Sequence, residues 1–228
     1  GSCHGSGSGC HGTRFASMRL QVQDLGNSSY KHTWELQKEL QLQRIENSID
    51  DTLLLVEHEP VYTFGKNADE NHLLQNYPEN VKLFYTERGG DITFHGPGQI
   101  VGYPIIDLHN YKMSISWYMR SLEEVIIRSL DKFGISADRK DSLTGVWVED
   151  EKIAALGVRI SRWVTMHGFA LNVNTDLAYY DSIIPCGIFD YGITSMKHIL
   201  GEKQNISKVK STLSAVFLDV FQLKKMEA

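Results

Sequence analysis

The chain has 228 residues, 42% of them hydrophobic, with 23 Lys and Arg against 28 Asp and Glu and a net charge of −5. This mildly acidic balance excludes nucleic-acid binding by bulk charge, and no run approaches the roughly 18 apolar residues that span a bilayer. Two of the three cysteines, Cys3 and Cys10, fall in the first 17 residues; the remaining Cys186 excludes an intramolecular disulfide framework and suits a reducing cytoplasm.

Residues 1–17 read GSCHGSGSGCHGTRFAS, a Gly/Ser-spaced repetition of Cys-His-Gly with no apolar core of a signal peptide. The Cys-His pairs are soft-metal ligands in principle, but the pattern is that of an expression tag, with Met18 as the natural start and 18–228 as one domain. Leu20 and Val22 alternate with polar neighbours as in a first strand, and Ser28 or Ser29 can cap a helix carrying Trp34, Leu36 and Leu40. Thr52 to Val56 predicts a buried strand and Val81 to Tyr85 another. Ile100 to Leu108 predicts a strand that Pro104 should push to an edge or a bulge. Ile115, Met119, Leu122, Ile126, Leu130 and Phe133 recur at helical spacing, so Ser114 to Phe133 is expected to be a long amphipathic helix. Three strands should follow, over Gly145–Val148, Lys152–Ile160 and Val164–Val173, then a short helix over Thr175–Asp181. Ile206, Val209, Leu213, Val216 and Val220 mark a closing amphipathic helix. The expected class is α+β, a mixed sheet flanked by helices.

Two segments carry chemistry. Arg88-Gly89-Gly90-Asp91-Ile92-Thr93-Phe94-His95-Gly96-Pro97-Gly98-Gln99 concentrates four glycines, a proline, a histidine and an arginine between two expected strands. A plain turn would account for a glycine cluster, and neither the Walker nor the Rossmann spacing is present. At this density, however, backbone without Cβ atoms allows a ligand to lie against amides that can hold a carbonyl or an oxyanion. The second segment is Ile183-Ile184-Pro185-Cys186-Gly187-Ile188, where Pro and Gly set the thiol in a turn. Free cysteine is commonly buried and inert; as a nucleophile it needs a neighbouring base or positive charge to become a thiolate. His95, His167 and Lys152 are the candidate partners, and spacing alone does not choose among them.

The run from Arg88 to Gln99 with Tyr103-Pro104, then Lys152-Ile153-Ala154-Ala155-Leu156-Gly157, then His167-Gly168-Phe169-Ala170-Leu171-Asn172 and Pro185-Cys186-Gly187-Ile188, closely resemble the octanoyltransferase family of the lipoate pathway. The four motifs occur in order over nearly all of 18–228; Phe94 stands where tyrosine is common. The resemblance implies the fold of the biotin and lipoate ligase catalytic domains. It also implies that Cys186 carries the octanoyl group as a thioester and that Lys152 lowers the thiol pKa and acts as general acid/base. Substrate contacts are implied for Arg88, Gly89, Gly90, Asp91, Ile92, Thr93, Phe94, His95, Ala155, Leu156, Gly157, Gly168, Phe169 and Ala170. Glycines 89 and 90, Phe94 and Leu156 would wall the acyl slot.

On this resemblance the donor is octanoyl-acyl-carrier protein. The acceptors are lipoyl domains of 2-oxoacid dehydrogenase complexes and the glycine cleavage H protein. No metal, nucleotide or other cofactor is expected, because converting a thioester to an amide is downhill without ATP. Arg159 and Arg162 are candidates for a basic docking patch. An ATP-dependent ligase, a cysteine hydrolase and a non-catalytic acyl-binding module are the alternatives.

Overall fold

A computed structural model describes residues 19–184 and 191–227. Residues 1–18 and the Pro185–Asp190 segment, which includes Cys186, lie outside the described residues.

The main sheet forms around strand β2 (Thr52–Glu57), whose run Leu53, Leu54, Leu55 and Val56 is entirely buried. Such continuity, rather than alternation, is what a strand needs when both its faces are covered. Leu53 and Leu55 point to the larger core, which α2 (Ile115–Asp131) and α4 (Ile206–Glu227) close; Leu54 and Val56 point to a smaller cluster with Leu36 and Leu40 of α1 (Tyr30–Ile45). β1 (Gln21–Asn27) pairs parallel to β2. On its other side β2 pairs antiparallel with β6 (Gln99–Ile105), β6 with β9 (Val164–Asn172), and β9 with β8 (Glu151–Ser161). The far edge carries β7 (Val146–Val148) antiparallel and β10 (Gly192–Ile193) parallel to β8, and the short helix α3 (Met196–Leu200) follows β10. A second sheet has β3 (Val61–Phe64) between β4 (Lys82–Tyr85) and β5 (Ile92–His95). This is the mixed α+β architecture expected; the four-residue β3 is too short for its pattern to be separated from a loop, and β5 lies inside the glycine-rich run.

The two long helices follow their apolar periodicity. Ser114 caps α2 by accepting from the Trp117 amide, and Tyr118, Leu122, Val125, Ile126 and Leu130 are buried against Val209, Leu213, Val216, Phe217 and Val220 of α4. Ile115, expected on that face, is 54% exposed, since it precedes the first turn that reaches the core.

Helix α1 corrects the expectation more deeply. Its buried face is Tyr30, Thr33, Gln37, Gln41 and Arg44, while Trp34, Leu36 and Leu40 are only half-buried. The cause lies in β6. Pro104 is not at an edge, because β6 is flanked by β2 and β9. Its ladder with β9 runs to Gly102↔Phe169 and resumes in the same register at Asp107↔Val164, leaving a gap in which Pro104 faces His167. Proline has no N–H to offer there. The freed backbone is satisfied by α1 instead: the His167 amide donates to Gln37 Oε1 (2.8 Å), and Gln41 Nε2 donates to the Val164 carbonyl (2.9 Å). A polar helix face therefore replaces a stretch of strand ladder.

A cavity between two sheets

The gap positions the candidate site. His167 adopts φ +59° and Gly168 φ +159°, and a Cβ on Gly168 would lie 2.1 Å from the Gly102 carbonyl oxygen. Only glycine allows β9 to pass β6 that closely. Across from it Gly157 pairs with Gly168, and a Cβ there would lie 2.7 Å from the Gly89 oxygen, so the glycine-rich segment lies directly on β8. Between these surfaces is a cavity of about 250 Å³.

One wall is apolar, formed by Ala154, Ala155, Leu156, Phe169 and Ala170 of β8 and β9, with Ile92, Val101, Ile183 and Ile193. The other end is polar, with Tyr30, Arg88, His95, Tyr103, His167 and Asn172. All the residues implied as substrate contacts line it except Gly89 and Phe94. Gly89 is stapled to β8 by its amide, which donates to the Val158 carbonyl (3.0 Å). Phe94 points to the opposite side of β5, where its ring stacks on Tyr179 (4.5 Å, 8°) in a satellite core with Tyr62. The expectation that these two wall the slot is corrected accordingly.

Arg88 is buried without a carboxylate at ion-pair distance among the described residues. Its guanidinium donates to the Thr63 carbonyl (2.7 Å) and hydroxyl (2.7 Å) and to the Gly89 and Asp91 carbonyls (2.9 Å each). It therefore holds the loop in shape, and burial lowers its pKa. The Asp91 carboxylate is occupied by the His72 ring and by the Asp69 amide, which ties the glycine-rich segment to residues 69–72. The His72 carbonyl in turn accepts from the Ile184 amide (2.7 Å), just before the segment that contains Cys186.

The histidines differ in role. The His58 Nδ1–H donates to the Ser28 carbonyl (2.7 Å), leaving Nε2 to accept from the Tyr103 hydroxyl (2.8 Å). Gln99 gives its amide hydrogens to the Phe94 carbonyl and Asn172, so its oxygen faces His95, whose Nδ1–H must be the donor (2.7 Å). Burial, helped by nearby His58, pushes His95 down to about 3. It is a neutral imidazole stacked on Tyr30 (5.8 Å, 14°). His167 is also lowered, chiefly by burial, although Glu87 opposes this from 3.4 Å. Burial would raise the Glu87 carboxyl, but hydrogen bonds from His167, its own backbone and Trp34 hold it down to about 2. Arg159 joins that carboxylate at 3.5 Å, so it is not a wholly free docking charge; Arg162 sits exposed at the β8–β9 turn with φ +49°.

Lys152 opens the apolar wall. Burial lowers its amine pKa, and no carboxylate or hydrogen-bond acceptor among the described residues engages it. Cys186 lies outside the described residues, yet Ile183 and Ile193 on either side of its segment both line the cavity, and Ile193 pairs with Lys152 across β10 and β8. Tyr30, Tyr103, Asn172 and Tyr180 at the polar end were not anticipated. Tyr30 had one legible signal, the spacing of Tyr30, Thr33, Gln37 and Gln41 along one helical face. Among the described residues no group of three or more His, Cys, Asp or Glu is placed to hold a metal ion, and no helix is long and apolar enough to cross a membrane.

The cavity, with its glycine-lined floor, lies where the mixed sheet meets the smaller one. The chain matches the family profile "Lipoyl protein ligase A/B catalytic domain" over residues 29–218. It is 46% identical over 225 residues to an octanoyltransferase of Flavobacterium johnsoniae, covering 90% of this chain and 97% of the relative. Its fold is similar to that of a bi-partite lipoate protein ligase from Thermoplasma acidophilum (TM-score 0.66, 18% identity, 90% of this chain and 83% of that one). It is also similar to a biotin protein ligase from Aquifex aeolicus (TM-score 0.54, 13% identity, 92% and 73%). The chain belongs to the octanoyltransferase family within the lipoyl protein ligase A/B class, and it is an acyltransferase.

Proposed function

We propose that this enzyme moves the octanoyl group from octanoyl-acyl-carrier protein to the ε-amine of a specific lysine on lipoyl domains, through a thioester on Cys186. The observation that carries the proposal is an apolar cavity whose wall begins with a lysine that has no counter-charge among the described residues, next to both chain segments that flank Cys186. The relatives that this chain matches over about nine-tenths of its length are named octanoyltransferases, which supports the octanoyl group as the one moved.

In the first half-reaction the Cys186 thiolate attacks the donor's thioester carbonyl. The carbon–sulfur bond to the carrier breaks, and its thiolate leaves with a proton from Lys152. In the second, the lysine amine of a lipoyl domain attacks the acyl-enzyme; an amide forms, Cys186 leaves as thiolate, and neutral Lys152 takes the amine proton. A lysine whose pKa burial has lowered gives up and takes back a proton more readily than an exposed one. Burying six methylenes against Ala154 to Leu156 and Phe169 contributes roughly 5 kcal/mol at about 0.8 kcal/mol each, so the acyl chain itself anchors the donor. The substrate-contacting residues are those of Arg88 to His95 that line the cavity, Ala155 to Gly157 and Gly168 to Ala170. Acceptors are the lipoyl domains of 2-oxoacid dehydrogenase complexes and the glycine cleavage H protein, met in the cytoplasm.

Intact mass spectrometry after incubation with octanoyl-carrier protein tests the proposal. One added octanoyl mass is expected on the wild type and none on Cys186→Ser, with transfer to a lipoyl domain and no ATP required. An unmodified wild-type chain, free octanoate as the product in the presence of a lipoyl domain, or loading of octanoate only with ATP would refute it.

A further inference from the structure

What faces the Lys152 amine is an aromatic ring. β7 and β8 are out of regular register by one residue: Val146 pairs with Ala154, but Trp147 pairs with Lys152. Without that bulge Trp147 would oppose Ile153, whose side chain lies on the other face of β8. The irregularity therefore places lysine and tryptophan on one face as a direct cross-strand pair, with Nζ 5.2 Å from the centroid of the Trp147 ring. The ring is rigidly held. Trp147 is 2% exposed, and its backbone exchanges two hydrogen bonds with Asp138 (2.8 and 2.9 Å) on the strand's other side.

A second observation indicates that this indole does more than fill space. Its Nε1–H is buried with no partner among the described residues. An orphaned donor is costly, and phenylalanine would occupy much of the same volume without it. The turn before it is shaped to the same end. Gly145 lies against the lysine stem, where a Cβ would come within 2.8 Å of Lys152 Cε, and its amide donates to Glu123 Oε1 (3.1 Å). Glu123 is locked by Arg120 (2.8 Å) and Arg139 (3.1 Å).

Among the described residues, three carboxylates on the surrounding elements are placed elsewhere. Asp150 pairs with Lys140 (3.0 Å); Glu151 lies against Gly192 of β10; Glu123 is held by its two arginines. None of them comes within ion-pair distance of Lys152.

We propose that Trp147 is a positioning residue for Lys152: its indole face holds the ammonium and stabilises the charged form, and so sets the pH at which this amine exchanges its proton during acyl transfer. The idea rests on Lys152 being the proton-handling group, but its test does not depend on activity. The Lys152 Cε resonance is titrated by NMR in ¹³C-lysine-labelled protein, assigned by its loss in Lys152→Met. Because the ring favours the cation, Trp147→Leu should move the midpoint down by about half to one pH unit, with Trp147→Phe in between. Biosynthetic fluorination of tryptophan weakens the ring's negative face without changing the fold. It should move the midpoint down in steps with the number of fluorines, and should have no effect in Trp147→Phe, where the other three tryptophans are still fluorinated. The acid limb of the transfer pH profile should move in the same direction. A midpoint that does not respond to Trp147→Leu or to the fluorine series overturns the proposal; a responsive midpoint in a chain that transfers no octanoyl group would instead refute the functional assignment alone.

Discussion

Lys152→Met should abolish transfer and make the protein more stable. Lys152 is desolvated without a partner among the described residues, and burying a polar group uncompensated costs about 1–3 kcal/mol in protein mutational data. The contact with the Trp147 ring returns roughly 0.5–1 kcal/mol of this, so methionine, which fills the stem's volume without the charge, should gain about 1–2 kcal/mol. For a chain of this length that raises Tm by about 2–8 °C. The pH dependence gives the sharper test. Burial holds the folded-state pKa below the ordinary 10.5, so between the two values the unfolded chain binds more protons than the folded one, and wild-type stability rises with pH through that window. Below the folded pKa the penalty is present in full. The methionine advantage should therefore be greatest below the folded-state pKa, and should shrink as pH approaches 10.5. Urea denaturation from pH 6 to 10, with the same substitution also made in Cys186→Ser so that any contribution from the thiol is separated, measures it. A Lys152→Met chain that is less stable than its parent at pH 7 in both backgrounds, or a difference independent of pH, would refute the reasoning that this amine is held in the cavity at a cost to the fold.

Three further outcomes follow from the same geometry. Gly168→Ala brings a Cβ to 2.1 Å from the Gly102 oxygen at φ +159°, so β6 and β9 must part; calorimetry should show a Tm at least several degrees lower, and octanoyl transfer should fall with it. Glu87, held at about 2 against an ordinary 4.5, contributes stability that is complete above the ordinary value and is lost as pH falls toward 2. Glu87→Gln should flatten that acid limb in denaturation curves from pH 6 to 3, with the contribution reduced because the side chain is 26% exposed. Phe169 closes the apolar wall where Gly102 leaves room for its ring, a Cβ there meeting Phe169 Cζ at 2.3 Å. Phe169→Leu should shift acyl preference toward chains longer than octanoyl in competition assays, at a stability cost of about 1–2 kcal/mol.

The parts of this molecule legible in sequence are those where one periodicity governs one element. The apolar run Leu53 to Val56 of β2 and the periodic apolar faces of α2 and α4 announce burial residue by residue, and the glycines of the cavity floor announce close approach. What escaped are positions whose reason lies on another element. Phe94 and His95 are neighbours in β5, so they must face opposite ways; an expectation that made both of them substrate contacts read the segment as a loop and ignored the alternation a strand imposes. Pro104 was correctly taken as incompatible with a full ladder, but the proline alone does not say whether the strand moves to an edge or its neighbour gives way. Here the neighbour yields, and the glutamines of α1, which look like a solvent face in isolation, are buried because the opened backbone of β9 needs their amides. The same opening gives His167 and Gly168 their unusual conformations, and these turn one wall of the cavity. A proline in a central strand, a polar helix face and a histidine at φ +59° are thus one device: the break in the sheet's hydrogen bonding shapes the cavity wall, and the helix supplies the hydrogen bonds the sheet gave up.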